Sequence, residues 1–276
     1  MTTSPTRLQR ASGESRVAFD LRDGRTRLGD LYQRDPCRVL FPQSEPGEPP
    51  QAVLLTTSGG VTDGDSLRMT IEIGPGAKAV ATTQAAEKIY RAAKGGGHCT
   101  IDVAVRVGEG ASLEWLPQET IVFQGARLKR RTVAEVEPGA ALLACEMVVL
   151  GRAASGERFV SGLLLDSWSV RRTSRLAWTD TLRVEGQTPT GAGFGTANAL
   201  ATVIGVWDAP QPQFEKARAL LDAAAPKTAT DVRAGVTLVN GVMVARLLGE
   251  ATAVRHAAIR FLTDFRGRRL PRVWHV

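Results

Sequence analysis

Histidine and cysteine are both scarce in this chain, with three of each in 276 residues. His98, His256 and His275 form neither H-x-H nor H-x-x-x-H, and Cys37, Cys99 and Cys145 form no C-x-x-C. A preformed zinc or nickel site of the usual ligand spacing is therefore not expected. His98 and Cys99 are adjacent, but neighbours on a strand face opposite sides, so the pair reads as a turn histidine beside a buried thiol. Three distant cysteines make no disulfide framework, which fits a reducing compartment. Aromatic residues are only 5% of the chain and do not interleave with its basic clusters, which argues against a surface that stacks nucleic-acid bases. The longest apolar run, residues 140–150, is broken by Glu146 and falls well short of the about 20 residues a membrane helix needs. The first twenty residues are polar, without the apolar segment of a secretory signal. These absences lead us to expect a cytoplasmic protein with no membrane or nucleic-acid partner.

Reactive motifs are missing too. Gly59-Gly60-Val61-Thr62-Asp63-Gly64-Asp65 is rich in glycine, but it carries no lysine and two aspartates that would repel phosphate. Residues 191–195 likewise lack a lysine and a following helix, so neither stretch is a nucleotide loop. There is no Gly-x-Ser-x-Gly, and no order of Ser, His and Asp stands out.

What the chain does have is strand pattern and turns. Leu67, Met69, Ile71 and Ile73 alternate with polar residues, the period of a half-buried strand. Gly74-Pro75-Gly76 then reverses the chain into a second apolar run. This turn–strand unit recurs, with turn glycines at 76, 110 and 139, each followed by alanine. A unit of this size cannot bury its apolar face alone, so the recurrence predicts strands wound helically on one another, a β-solenoid-like arrangement. Asp23-Gly24 and Asn240-Gly241 each sit between apolar runs and predict hairpins. Strands are expected over 17–21, 27–33, 38–41, 159–165, 167–177, 179–185 and 197–207, and a turn or short helix over 85–93. Two amphipathic helices are predicted in the last third, over 213–225 with Pro226 as stop, and over 250–266 with Gly267 as cap. Residues 1–14 look polar and mobile. No internal boundary divides residues 1–276, so the expectation is one mainly β domain with two late helices.

Charge adds candidates. The formal net charge is +7 and the pI about 9.8, which points to acidic partners or a negatively charged protein face. Asp63, Asp65, Glu87, Glu114, Glu119 and Glu146 fall in the repeat region, and Glu114 and Glu146 have apolar neighbours in sequence. A carboxylate buried in a strand is costly unless paired or wet. Either these groups alternate out to solvent, or they line a polar passage inside the fold. Basic clusters lie at 127–131, at 171–175, and at Arg266, Arg268, Arg269 and Arg272. The last, beside Trp274, which is expected to be exposed, is the better docking candidate, because Arg and Trp are enriched at interface hot spots. The basic patches of the other clusters read equally as solvated strand edges.

The segments SGGVTDGDSL (58–67), GPGAKAVATTQAAEKIYRA (74–92), LEWLPQETIVFQGARLKRRT (113–132), ACEMVVLGRAASGERFVSG (144–162) and RLPRVW (269–274) resemble the urease accessory protein D family, also called UreD or UreH. The likeness runs in order over nearly the whole chain. It departs at Thr57-Ser58, where many relatives place proline before the double glycine. The resemblance implies a non-enzymatic maturation factor with a helical winding of strands and two helices. It implies binding to urease accessory protein F, recruitment of the nickel-carrying GTPase G, and docking of that assembly on apo-urease. It implies no tightly bound cofactor, only nickel in transit, with Asp63, Asp65, Glu114, Glu119 and Glu146 as passage candidates. The competing expectation is a β-solenoid enzyme that cleaves an acidic polymer with a carboxylate pair.

Overall fold

The computed structural model describes residues 10–152, 155–186, 193–224 and 232–275. Among the described residues, seventeen strands make two open sheets stacked face to face. In chain order they are β1 (Ser12–Arg22), β2 (Arg25–Arg34), β3 (Cys37–Leu40), β4 (Gln51–Thr56), β5 (Ser66–Ile73), β6 (Lys78–Thr83), β7 (Glu87–Ile89), β8 (Cys99–Val107) and β9 (Ser112–Leu116). They continue as β10 (Thr120–Val122), β11 (Arg127–Val136), β12 (Ala141–Leu150), β13 (Leu163–Arg172), β14 (Arg175–Glu185), β15 (Ala199–Val206), β16 (Arg233–Val239) and β17 (Val242–Gly249). Helix α1 (Gln211–Ala223) precedes β16, and α2 (Ala251–Arg266) follows β17.

The first sheet has the order β14-β13-β11-β8-β5-β1-β2, and the main path of the second is β16-β17-β15-β12-β9-β6-β4-β3. From β5 to β13 the chain supplies the two sheets in turn: β5, β8, β11 and β13 pair in parallel in the first, β6, β9 and β12 in the second. The pairing is in register, so Ile71, Val105 and Ala134 stack in one sheet and Ala79, Leu113 and Leu142 in the other. The turns stack as well. Gly76 N donates to Glu109 O and Gly110 N to Pro138 O, at 2.9 and 3.1 Å. Gly76, Gly110 and Gly139 have φ of +69°, +63° and +71°, a left-handed backbone that a side chain would strain. That is the physical reason for the recurring glycines.

The core between the sheets includes Val17, Leu67, Ile71, Val105, Leu113, Leu142 and Val170. β12 is buried on both faces, because α1 and α2 cover the outer side of the second sheet. Ala217 and Leu221 of α1 and Phe261, Leu262 and Phe265 of α2 pack there on Leu116, Cys145, Val203 and Met243. Glu250 caps α2 by accepting from Thr252 N and Ala253 N, and Gly267 ends it in the left-handed conformation.

The chain is thus mainly β with two late helices, as expected. A solenoid is not seen. Both sheets are open, and their flanks, β1–β2, β3–β4, β13–β14 and β12–β15–β17–β16, are antiparallel. Short hairpin turns at the flanks reverse the chain and stop the winding. The turn at Thr173 and Ser174 falls inside the strand expected over 167–177. Both residues take positive φ without being Gly, Asn or Asp, so no residue that favours positive φ marks the reversal. Residues 159–162 are loop, and part of 85–93 is the short strand β7, paired with β10. Residues 1–9, Gly191 and Ala192 of the expected break, and Pro226 lie outside the described residues.

Replacing Glu250 by Ala is expected to lower stability by about 1 kcal/mol, the usual worth of a helix N-cap, in urea unfolding. An unchanged midpoint and slope would show that the cap contributes nothing.

Candidate functional site

The inward face of β11 carries Leu128, Arg130, Thr132 and Ala134, all buried. A guanidinium therefore stands where alternation calls for an apolar side chain. Parallel pairing sets Arg130 opposite Asp166 of β13, and Thr132 opposite Trp168. Arg130 Nε and Nη2 donate to Asp166 Oδ1 and Oδ2 at 2.9 and 2.5 Å, a bidentate pair. Its Nη1 donates to Thr120 Oγ1 at 2.8 Å. From the opposite sheet, Glu146 of β12 brings Oε1 to 3.1 Å from Arg130 Nη2 and accepts from Trp168 Nε1 at 2.9 Å. Arg130 and Glu146 are 7% and 8% exposed.

Two carboxylates and one guanidinium cannot all be charged in the interior at low cost. Burial works against the Arg130 charge, but Asp166 and Glu146 outweigh it and keep the guanidinium protonated. Glu146 yields instead. Burial pushes its carboxyl up to about 8, Arg130 opposes the rise, and Asp166 adds to it by repulsion and by accepting a hydrogen bond from the protonated carboxyl.

This cluster borders two internal spaces. The larger, about 210 Å³, lies between the sheets; Leu54, Met69, Val103 and Trp115 are among its walls, with Thr120, Arg130, Thr132 and Glu146 at its charged end. Its rim includes exposed Gly59, Gln84 and Lys88, and Glu87, whose carboxyl burial raises to about 7. The smaller, about 20 Å³, is lined by Glu146, Asp166, Trp168, Trp178, Asp180 and Thr202. Glu146 lines both, and Asp180 on the far side pairs with Arg246 at the surface. A line of polar groups thus runs from Glu87 past Arg130 and Glu146 to Asp180.

Of the passage candidates, Glu146 alone lines these spaces. Asp63 accepts from Ala93 N at 3.0 Å and pairs with Arg10, and the Ala93 bond chiefly holds its carboxyl below the usual range. Asp65 accepts from Ala11 N and Thr62 N, both at 2.8 Å, as a turn brace. Glu119 pairs with Arg255 of α2. Glu114 pairs with Arg266 and Arg268 on the outer side of the second sheet, at 2.6 and 2.9 Å. Those two arginines are accordingly committed within the molecule, and Arg268 also approaches Glu48.

Trp274 corrects its expected exposure: it is 2% exposed. It lies in the 3₁₀ turn Arg272–His275, and its Nε1 donates to Leu116 O at 3.1 Å and to Thr82 Oγ1 at 3.3 Å. The Arg255 guanidinium stacks on its ring at 5.4 Å. Leu270 and Pro271 are buried beside it, so this part of the tail belongs to the core. Arg269 and Arg272 are exposed. They border a groove of about 900 Å³ whose walls include Leu40, Phe41, Pro42 and Val273.

Sequence reasoning missed Arg130, Asp166 and Asp180. Arg130 was hidden in the basic run Lys129-Arg130-Arg131, where alternation turns only the middle residue inward. That alternation was the available signal. Among the described residues no cluster of three or more His, Cys, Asp or Glu could hold a metal, and no helix is long and apolar enough to cross a membrane. The thiols of Cys37, Cys99 and Cys145 are buried, and burial pushes them up to about 11, 12 and 12.

The sequence model of the UreD urease accessory protein family matches residues 11–275. The chain is 42% identical over 279 residues to urease accessory protein UreD of Methylobacterium sp. strain 4-46, covering 98% of both chains. It is 40% identical over 280 residues to the protein of the same name from Magnetococcus marinus, covering 97% of this chain and 95% of that one. It is 42% identical over 260 residues to urease accessory protein UreD 2 of Methylorubrum populi, covering 91% and 84%.

Two outcomes follow from the geometry. Glu146 keeps its proton in the folded chain up to about pH 8 but loses it near the ordinary carboxyl value when unfolded. Its contribution to stability is full below that ordinary value and is lost as pH rises toward 8. Glu146→Gln is isosteric and cannot ionise, so the variant should gain on the native chain with each pH step from 5 to 8 in urea unfolding. A gap that stays constant would show that Glu146 is ionised throughout. Trp274→Ala is expected to cost about 3–5 kcal/mol in the same assay, as for a buried aromatic side chain, and a cost below 1 kcal/mol would return Trp274 to the surface.

Proposed function

The chain belongs to the UreD family of urease accessory proteins, and on that premise we propose that it serves urease maturation as a non-catalytic scaffold through which nickel is handed to apo-urease. Accessory protein F is its direct partner in this reading, and the F-bound chain recruits the nickel-carrying GTPase G. The observation that carries the nickel part is the line of polar groups between the sheets, from Glu87 through Arg130, Glu146 and Asp166 to Asp180. Carboxylates and water suit a borderline cation in transit, and a conduit must hold its cargo weakly enough to release it. Glu146 lines both spaces, so the cargo would pass this carboxyl.

Docking on F is placed at the groove beside Arg269 and Arg272. Leu40 and Phe41 are 53% and 41% exposed there, and Leu28, Leu31 and Tyr32 are exposed on the nearby edge strand β2. Exposed apolar surface of this kind, rimmed by charge, marks a face meant to be covered. The competing reading, cleavage of an acidic polymer, would use the outer arginines as substrate clamps. Arg106 and Arg131 instead pair with Glu72, Glu135 and Asp102 across the first sheet, and nothing specific favours that reading.

In cells expressing the urease genes but lacking this chain, urease is expected to accumulate with little nickel and little activity at ordinary nickel supply. Restoring the chain should restore both, while the Glu146→Gln variant should restore less nickel per urease. Fully loaded urease in the absence of the chain would overturn the proposal.

A further inference from the structure

Resting on the passage reading above, we propose that Arg130 is a latch across the passage: a divalent cation opens it by taking its place between Asp166 and Glu146, while the guanidinium swings to Thr132. Arg130 borders the larger space, Asp166 the smaller, and Glu146 both. Held bidentately on Asp166, the guanidinium therefore stands at the boundary between them.

It cannot leave without a substitute. Removing the only cation from two buried carboxyl groups would leave uncompensated negative charge in the interior, which is strongly disfavoured. Water supplies no such compensation, but a divalent cation does. The divalent cation replaces both the guanidinium and the proton on Glu146, which passes to water in the larger space, so the charge between the two carboxyl groups stays balanced.

A landing place is already present. Thr132 lies two residues beyond Arg130 on β11, on the same inward face and about 6.6 Å along the strand, within reach of an arginine side chain. It is 1% exposed and lines the larger space, and among the described residues its Oγ1 has no hydrogen-bond partner. Buried hydroxyls are nearly always bonded, so an idle one two residues from a guanidinium on the same face asks for an explanation. A guanidinium turned into the larger space would gain Thr132 Oγ1 as acceptor and keep Thr120 Oγ1, which borders the same space. The exposed rim would leave its charge hydrated.

The test is the initial rate of nickel incorporation into apo-urease by the complete accessory set, with this chain native or altered. Thr132→Val keeps the volume and removes the acceptor, and is expected to slow incorporation about ten- to a hundredfold, the range one hydrogen bond to a charged group is worth. Thr132→Ser returns the hydroxyl and should restore the native rate, which a packing role for the threonine methyl would not predict. Crystals of the full chain soaked in nickel chloride should show metal between Asp166 and Glu146, with Arg130 on Thr132. Native rates for Thr132→Val, or nickel bound with Arg130 still on Asp166, would overturn the latch while a slow Glu146→Gln variant keeps the passage. If Glu146→Gln also loads at the native rate, the passage reading falls and the latch with it.

Discussion

In-register parallel pairing of β5, β8, β11 and β13 governs most of what this molecule can do. It fixes which side chains share a level, and so it sets Arg130 beside Asp166 and Thr132 beside Trp168. A slip of one residue would turn every inward group outward and bring Lys129 and Arg131 into the core. The stacked turns at Gly76, Gly110 and Gly139 guard against that slip, because each is tied to its neighbour by a backbone hydrogen bond or by close approach. Precision in the polar cluster is therefore inherited from the apolar strands around it.

The second sheet solves a different problem. Its central strand β12 is buried on both sides, which is why it reads as one nearly continuous apolar run. One face meets the first sheet, and the other needs α1 and α2. Glu146 interrupts that run on the side of the first sheet, where Arg130 and Trp168 receive it. Burial between the two sheets is what raises the Glu146 carboxyl and keeps its proton in place.

Much of the fold could be read from the residues alone. Alternating apolar positions marked β5, β8 and β11, the two helices had their faces and the Gly267 cap, and Asp23-Gly24 and Asn240-Gly241 marked hairpins. The hairpin at Thr173 and Ser174 was hidden, since nothing in those residue types announces positive φ. The site was less legible. Glu146 stood out as a carboxyl in an apolar run, but its partners Arg130 and Asp166 come from strands 36 residues apart in sequence and meet only through the register. Trp274 was misplaced for a related reason. A tryptophan among arginines at the end of a chain looks like bait for a partner, and only the bare strand ends at Thr82 and Leu116 explain where it goes.

That anchor has a consequence for biosynthesis. The bond from Trp274 to Thr82 spans 192 positions, and Gln118 reaches Val273 O across 155. A ribosome emits the chain from its N-terminus, so the outer ends of β6 and β9 stay unsealed while the more than 150 residues that follow are made. The nascent polypeptide is left with an open seam there until Val273 and Trp274 have emerged.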